Sequence, residues 1–433
     1  MKKNLKVIFI ICIVLGILAG ALNLYVGSQE GRLQEVQEQQ AARKKALAQI
    51  KTADLLGIDP DTIVVPDEVE LTKADEVIMK LYDSRSLLWV LAIDFLIIGA
   101  GGIVYGISKA KKHASGQVKQ LGSSNNVVGI VIALAALCLD LAIASPVFLT
   151  ASNFLNVFQQ ISINFVVAVG MTFVIISGGI DLSVGSNIAL SGLMMGILMK
   201  NYNVSVPVTI ITCVLMSCLI GMINGVLISF LDLPPFIATL GTMSIVRGAA
   251  YTVTGGQPIY TFPHGFTAIA GRVGGIPLYS TIIMFFVMIL GWYILRYTRV
   301  GRFTYAIGGN ENCAKLSGIN LKKVKCFVYM FSGFCCGIAG LLLTSRLDSA
   351  VPTNADGQEM DAIAAVVIGG TSMSGGEGSM VGTLIGILII GIISNGLNLL
   401  GVAQGPQKMV KGLIIVVAVI IDVIRRKASE SAK

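Results

Sequence analysis

The sequence predicts an all-α fold, a polytopic transmembrane helical bundle of about ten core spans with two additional spans ahead of them. Three observations carry this. The 433 residues are 54% hydrophobic and only 13% charged, where a soluble domain carries about 25% charged residues. Mean hydropathy is +0.80, and apolar windows of the ~20 residues that a spanning helix needs recur along the chain. Between Val127 and Tyr297, finally, the only Asp, Glu, Lys or Arg residues are Asp140, Asp181, Lys200, Asp232, Arg247, Arg272 and Arg296.

The first apolar run, Leu5 to Val26, follows Met1-Lys2-Lys3. It reads as a membrane anchor, or as a signal peptide given the small residues of Ala19-Gly20-Ala21. Either reading sends the next segment outside. That segment, 27–86, holds 12 acidic and 8 basic residues. Its first part, with Leu33, Val36, Leu47 and Ile50 as a thin stripe, suits an exposed amphipathic helix. A second run, Leu87 to Ile107, re-enters and ends in the basic stretch "KAKKHASGQVK", so residues 1–125 form a membrane hairpin with an acidic outer segment and a basic inner linker, 108–125.

Core spans are expected near 127–147, 160–177, 186–200, 207–231, 236–253, 277–297, 324–345, 361–371, 379–400 and 406–424; those at 236–253 and 361–371 are short enough to be re-entrant. The stretch Arg296 to Lys325 holds seven Lys/Arg against Glu311 alone, so the positive-inside bias places it in the cytoplasm, with both chain termini. The same bias accounts for the net charge of +8 without any nucleic-acid partner. The buried acids Asp140 and Asp94 should face protein rather than lipid, Asp140 through an internal hydrogen bond, and Arg247 suits pairing or snorkelling near an interface. Gly192/Gly196 and Gly382/Gly386 have the spacing of helix-packing faces.

Catalytic chemistry is missing. No G-x-x-x-x-G-K-[ST] loop occurs, so a nucleotide phosphate has no such cradle. The eight cysteines form no C-x-x-C pair and only His113 and His264 could add imidazole, which leaves no metal site and no cofactor to expect. The cysteines are most simply small core residues.

Two places depart from the apolar pattern. "VIISGGIDLSVGSNIAL", Val174 to Leu190, stops on Gly178-Gly179, places Asp181 at the break and resumes after Ser183. "VVIGGTSMSGGEGSMVGTLIG", Val366 to Gly386, repeats the pattern; with Gly178 laid on Gly369, Asp181 falls on Ser372 and Ser183 on Ser374. Interrupted helices at equivalent places in two halves are the internal symmetry transporters show, and non-helical backbone in a membrane survives only inside protein or beside a wet cavity. Under one reading Asp181 or Ser183 caps the following helix; under the other the break and its polar residues face a translocation route. Ser177, Gly178, Gly179, Asp181, Ser183, Gly369, Gly370, Thr371 and Ser372 are the candidate pathway residues.

The inner loop carries a short helix candidate, Asn310 to Ser317, with Gly308-Gly309 before it and Gly318 after it. Asn310 can cap it and Glu311 suits its first turn. Leu316 and Ile319 would be apolar knobs, and a helix this short holds in water only when docked. "ISGGIDLSVGS", "PFIATLGTMSIVRGAAYTVTGGQPI", "GRFTYAIGGNENCAKLSGI" and "DAIAAVVIGGTSMSGGEGSMVGTLIG" resemble the permease subunit of ribose-type (monosaccharide) ABC importers. The likeness runs from about Asn126 to Lys427, leaving 428–433 as a cytoplasmic tail.

The resemblance implies a bacterial inner-membrane permease that takes up ribose or a related sugar, pairs as a homodimer, receives sugar from an extracytoplasmic binding protein and binds a cytoplasmic ATPase. Hydrolysis would then lie in that partner and not in this chain. By the same resemblance Gly308, Gly309, Asn310, Glu311, Ala314, Leu316, Ser317 and Gly318 form the ATPase-coupling element, with Cys313 where members usually carry alanine. Most members begin near Val127, so 1–125 is an addition. The outer loops 254–276 and 346–360 would receive the binding protein. From the residues alone an ion-coupled secondary transporter stays open as the alternative, with Asp140 or Asp181 as its titratable group.

Overall fold

Helix α1, Ala151–Ile176, is the axis around which the protein is built. In the computed structural model residues 137–272 and 276–430 are described, with a few isolated positions before them. The hairpin expected over 1–125, with Asp94, lies outside the described residues apart from those positions, as does most of the first half of the 127–147 span. After a helical segment over 137–144, the order is α1, α2 (Val184–Lys200), α3 (Val206–Phe230), α4 (Pro235–Thr254), β1 (Ile259–Tyr260), α5 (His264–Thr267), α6 (Leu278–Tyr297), α7 (Arg299–Gly309), α8 (Glu311–Leu316), α9 (Leu321–Leu347), β2 (Ser349–Ala350), α10 (Gln358–Ile368), α11 (Met380–Leu399) and α12 (Gln404–Glu430). Among the described residues the regular elements are helices and one two-stranded antiparallel sheet, β1–β2, in which Ile259 faces Ala350.

Among the described residues six helices, α1, α3, α4, α6, α9 and α11, are long and apolar enough to cross a membrane, with α2 as a shorter apolar helix. Twenty residues at 1.5 Å each reach ~30 Å, the thickness of the hydrocarbon core. α10 has 11 residues and reaches only about half of that. From Ile161 to Ile176 α1 is largely apolar and wholly buried, whereas α3, α4 and α6 leave most of their surface outside the protein. A helix without a polar stripe belongs in such an interior. α9 packs across α1, α2 and α3, and Phe331 of α9 meets Phe173 of α1 with ring centroids 4.7 Å apart.

Local chemistry sets the helix ends. Thr150 accepts from Asn153 N at 3.3 Å to start α1. α4 starts on Pro235 and ends on Gly255 at φ +59°, the usual division of labour between proline and glycine. Thr298 separates α6 from α7: its Oγ1 donates to Ile294 O at 2.7 Å and accepts from Gly301 N at 3.2 Å. Asn320 accepts from Lys323 N at 3.1 Å and starts α9.

One boundary differs from expectation by a whole turn and more. The span expected from residue 160 starts at 151, and two polar residues in its first turns are satisfied inside the protein. Asn153 exchanges amide bonds with Asn395 of α11 at 3.1 and 2.8 Å, and Gln159 Nε2 donates to Ala270 O at 2.6 Å. Asp140 departs from expectation too: its Oδ2 is buried with no hydrogen-bond partner among the described residues.

Candidate functional site: two helix breaks and an inner loop

The two interrupted segments end their helices in the same way. At the first, Gly178 N donates to Ile175 O at 2.9 Å and Gly179 N to Val174 O at 3.0 Å. At the second, Gly370 N donates to Val367 O at 2.9 Å and Thr371 N to Val366 O at 3.1 Å. Gly178 has φ +81° and Gly370 φ +89°, the left-handed conformation that glycine alone adopts without steric cost. The helix ends therefore equate Gly178 with Gly370, one residue beyond the pairing with Gly369 drawn from the sequence.

The polar turn that follows keeps the sequence pairing. Ser183 N donates to Asp181 Oδ1 at 3.0 Å, and Ser374 N donates to Ser372 Oγ at 3.3 Å. The second copy is thus one residue shorter between glycine and turn. α2 then begins at once, while the second copy runs on through Gly375 and Gly376, at φ +82° and +77°, before α11.

Asp181 is 2% exposed. Its Oδ1 accepts from Ser183 Oγ at 2.6 Å as well as from Ser183 N, and its Oδ2 accepts from Ser332 Oγ of α9 at 2.8 Å. Ser183 Oγ in turn accepts from Asn224 Nδ2 of α3 at 2.8 Å. The carbonyl of Ile180 accepts from Tyr329 OH at 3.4 Å and from Thr239 Oγ1 of α4 at 3.3 Å. A carboxylate inside a membrane protein is costly unless partnered, and here it ties the first break to α9 directly and to α3 through Ser183. Ser183 makes no side-chain bond into α2; Asp181 closes the turn ahead of that helix.

Sequence reasoning did not single out Asn187, Ser191, Ser217, Asn224, Tyr329 or Ser332. The legible signal was the four-residue spacing of Ser183, Asn187 and Ser191 along one face of an otherwise apolar helix. The tertiary structure carries that face against α3, where Asn187 Nδ2 donates to Ser217 O at 3.2 Å and the oxygens Asn187 Oδ1, Ser191 Oγ and Ser217 Oγ are buried without hydrogen-bond partners among the described residues.

The inner loop abuts both breaks. A crevice of about 550 Å³ is lined by Ser177, Gly178 and Gly179 of the first break, Gly308 to Asn312, Lys325 and Tyr329 of the loop and α9, and Ser374 of the second break. Gly376 N donates to Ile176 O at 2.9 Å, and the end of α7 lies against that bond. Asn310 Oδ1 accepts from Cys313 N at 2.9 Å, so the expected cap of α8 is in place. Glu311 pairs with Lys325 Nζ at 2.7 Å. Ala314 faces inward, Ile319 packs on the core, and Leu316 is 89% exposed. Gly318, at φ +79°, turns the chain toward α9.

Asp181 and Ser183 are sealed behind this crevice, not in its lining. Thr371 is also buried, packed near Gly378, and Ser372 N closes its own turn on Glu377 O at 3.0 Å.

At the other end of the bundle the described loop residues 254–272 and the loop 346–360 form one platform. β1 pairs with β2, and Phe262 N donates to Asp348 Oδ1 at 2.7 Å. Arg247 spans to the carbonyls of Pro352 and Asn354. Lys408 meets Asp356 at 2.9 Å and Lys411 meets Asp361 at 2.8 Å. The hydrogen bond from Lys408 holds the exposed Asp356 carboxyl below the usual carboxylate range. Arg247, expected to pair or snorkel near an interface, thus hydrogen-bonds to loop carbonyls, with no ion pair among the described residues.

Residues 153–419, which include both breaks and the inner loop, match the family described as branched-chain amino acid transport system / permease component. The chain is similar to the ribose import permease protein of Escherichia coli, 44% identical over 300 residues that cover 67% of this chain and 92% of the relative. It is similar to that of Bacillus subtilis at 44% identity over 321 residues, 73% of this chain and 96% of the relative. The galactose/methyl galactoside import permease protein of Haemophilus influenzae is 36% identical over 295 residues, 64% and 88% of the two chains. No solved structure matches the chain.

Proposed function

The chain belongs to the branched-chain amino acid transport system / permease component family, and from that premise we propose that it is the membrane-embedded permease subunit of an ATP-driven importer for a monosaccharide, ribose or a close relative. The observation that carries the reading is the 44% identity to ribose import permeases across 92% of their length. The geometry agrees with it: a capped, outward-turned α8 sits on a loop that reaches both helix breaks.

In this reading about ten core spans and two N-terminal ones cross a bacterial inner membrane, with the termini and α7–α8 in the cytoplasm and segment 27–86 outside. Two copies pair. A cytoplasmic ATPase docks on Gly308 to Gly318, with Leu316 as the exposed apolar contact, and hydrolysis occurs in that subunit. An extracytoplasmic sugar-binding protein docks on the platform joined by β1 and β2. Sugar passes the breaks in a state that brings Asp181, Ser183, Thr371 and Ser372 to the route; hydroxyl-rich neutral solutes need hydrogen-bond partners and not counter-ions. The acidic segment 27–86 assists docking of the binding protein.

The test is reconstitution in proteoliposomes with the ATPase and binding protein encoded beside it. Ribose uptake should require ATP and the binding protein and should persist when the proton-motive force is collapsed. Uptake driven by an ion gradient without ATP would establish the ion-coupled alternative instead. Deleting 27–86 should lower uptake when binding protein is limiting, and unchanged uptake would reject the docking role.

A further inference from the structure

Helix α7 touches both helix breaks at once, and it does so through backbone. A methyl group built on Gly308 would strike the carbonyl oxygen of Ile176 and lie 2.5 Å from Gly376 N, the two partners of the hydrogen bond that joins the first break to the second. From the other side, a methyl on Gly375 would come within 2.8 Å of Gly308 Cα and 3.0 Å of Gly178 Cα. Three chain segments distant in sequence thus meet with no side chain between them. One turn back on α7, Tyr305 OH donates to Gly378 O at 2.8 Å. Positions 305 and 308 share a helix face. Thr304 and Ile307 of the same helix are buried, so α7 has little room to slide independently.

Resting on the functional reading above, we propose that α7 is a lever that moves the two breaks together, with Gly308 and Tyr305 as positioning residues for coupling. Load enters at α8, which the ion pair Glu311–Lys325 keeps on α9. It leaves through the junction of Gly308 with Ile176 and Gly376 and through the Tyr305–Gly378 bond. Side chains yield by changing rotamer; backbone in direct contact does not, and packed junctions of this kind switch between arrangements rather than deform. Both breaks therefore change state with α7.

The test uses the full transporter in proteoliposomes with binding protein and ribose, reading sugar moved per ATP hydrolysed. Tyr305→Phe removes one hydroxyl and leaves the fold and the docking face intact. ATP hydrolysis should continue while sugar moved per ATP falls about five-fold or more, the size of an ordinary coupling free energy. Gly308→Ala should do the same or worse. Gly241→Ala, where an added methyl meets nothing within 4 Å, should leave the ratio at the wild-type value. A purely structural role would lower thermal stability, uptake and hydrolysis together and leave the ratio unchanged; that outcome for Tyr305→Phe overturns the lever.

A second measurement needs no sugar. With other cysteines replaced, spin labels at the exposed Cys313 and at Ser374→Cys should keep one distance between nucleotide-free and ATP-bound complexes, and Tyr305→Phe should broaden it. A wild-type distance that changes with nucleotide overturns the proposal. Absence of ATP-linked uptake in the wild type, with the distance fixed, would sink the function and leave the lever standing.

Discussion

Replacing Asp181 tests whether the first break is held by its carboxylate. Three donors converge on it, Ser183 N, Ser183 Oγ and Ser332 Oγ, at 3.0, 2.6 and 2.8 Å. Hydrogen bonds to a charged group contribute about 1.5–3 kcal/mol each, but they share one acceptor and do not add. In Asp181→Ala the two hydroxyls can turn to nearby carbonyls, while Ser183 N–H stays buried and unpaired at about 1–3 kcal/mol. With the lost anchors to α9, the cost comes to about 3 kcal/mol, near the lower end of what breaking a buried charged network costs. Asp181→Asn keeps the volume, keeps an oxygen for Ser183 N–H, and offers an amide to Ser332 Oγ; it should cost about 1 kcal/mol. Thermal unfolding of the detergent-purified protein should rank wild type above Asn and Asn above Ala, with sugar uptake following the same order. Wild-type stability in the alanine variant, or an asparagine variant worse than alanine, would refute the argument.

Three further outcomes follow from particular contacts. Leu316→Glu should abolish ATPase binding in pull-down while leaving the permease's melting temperature unchanged, since the side chain is 89% exposed; retained binding would move the docking face elsewhere. Gly221→Ala should destabilise by about 1–3 kcal/mol in thermal unfolding, as overpacking does, because the methyl would run into Tyr329 O and Gly333 N of α9. Asp356→Asn should matter little and only above the acid range. The bond from Lys408 depresses the Asp356 pKa, so its contribution is present above the unfolded value of about 3.9 and fades as pH falls through the lower folded value. Both side chains are largely exposed, so the effect is small; the wild-type and variant melting temperatures should differ slightly near neutrality and converge in acid.

Local sequence specifies some elements of this protein fully and others only in part. The membrane bundle, the glycine breaks and the cap at Asn310 depend on composition, periodicity and nearest neighbours, all of which are local. The same locality explains the misplaced start of α1: Asn153 and Gln159 look like loop residues until Asn395 and Ala270 arrive from far along the chain. It explains the one-residue shift between the repeats as well, since the glycine that turns left-handed is chosen by where each helix stops. Asp181 could be read as a cap or a pathway group, and only the arrival of Ser332 and Asn224 decided that it is enclosed by α3 and α9 in this structure.

By itself the sequence determined the solvent, the helical class, the two interruptions and the exposed short helix of the inner loop, because these follow from which side chains a stretch of chain can hide. Only the tertiary structure decided that Ile176, Gly308 and Gly376 share one backbone junction. Glycine writes no partner into the sequence: without a side chain, its contact is defined solely by what the rest of the fold brings against it.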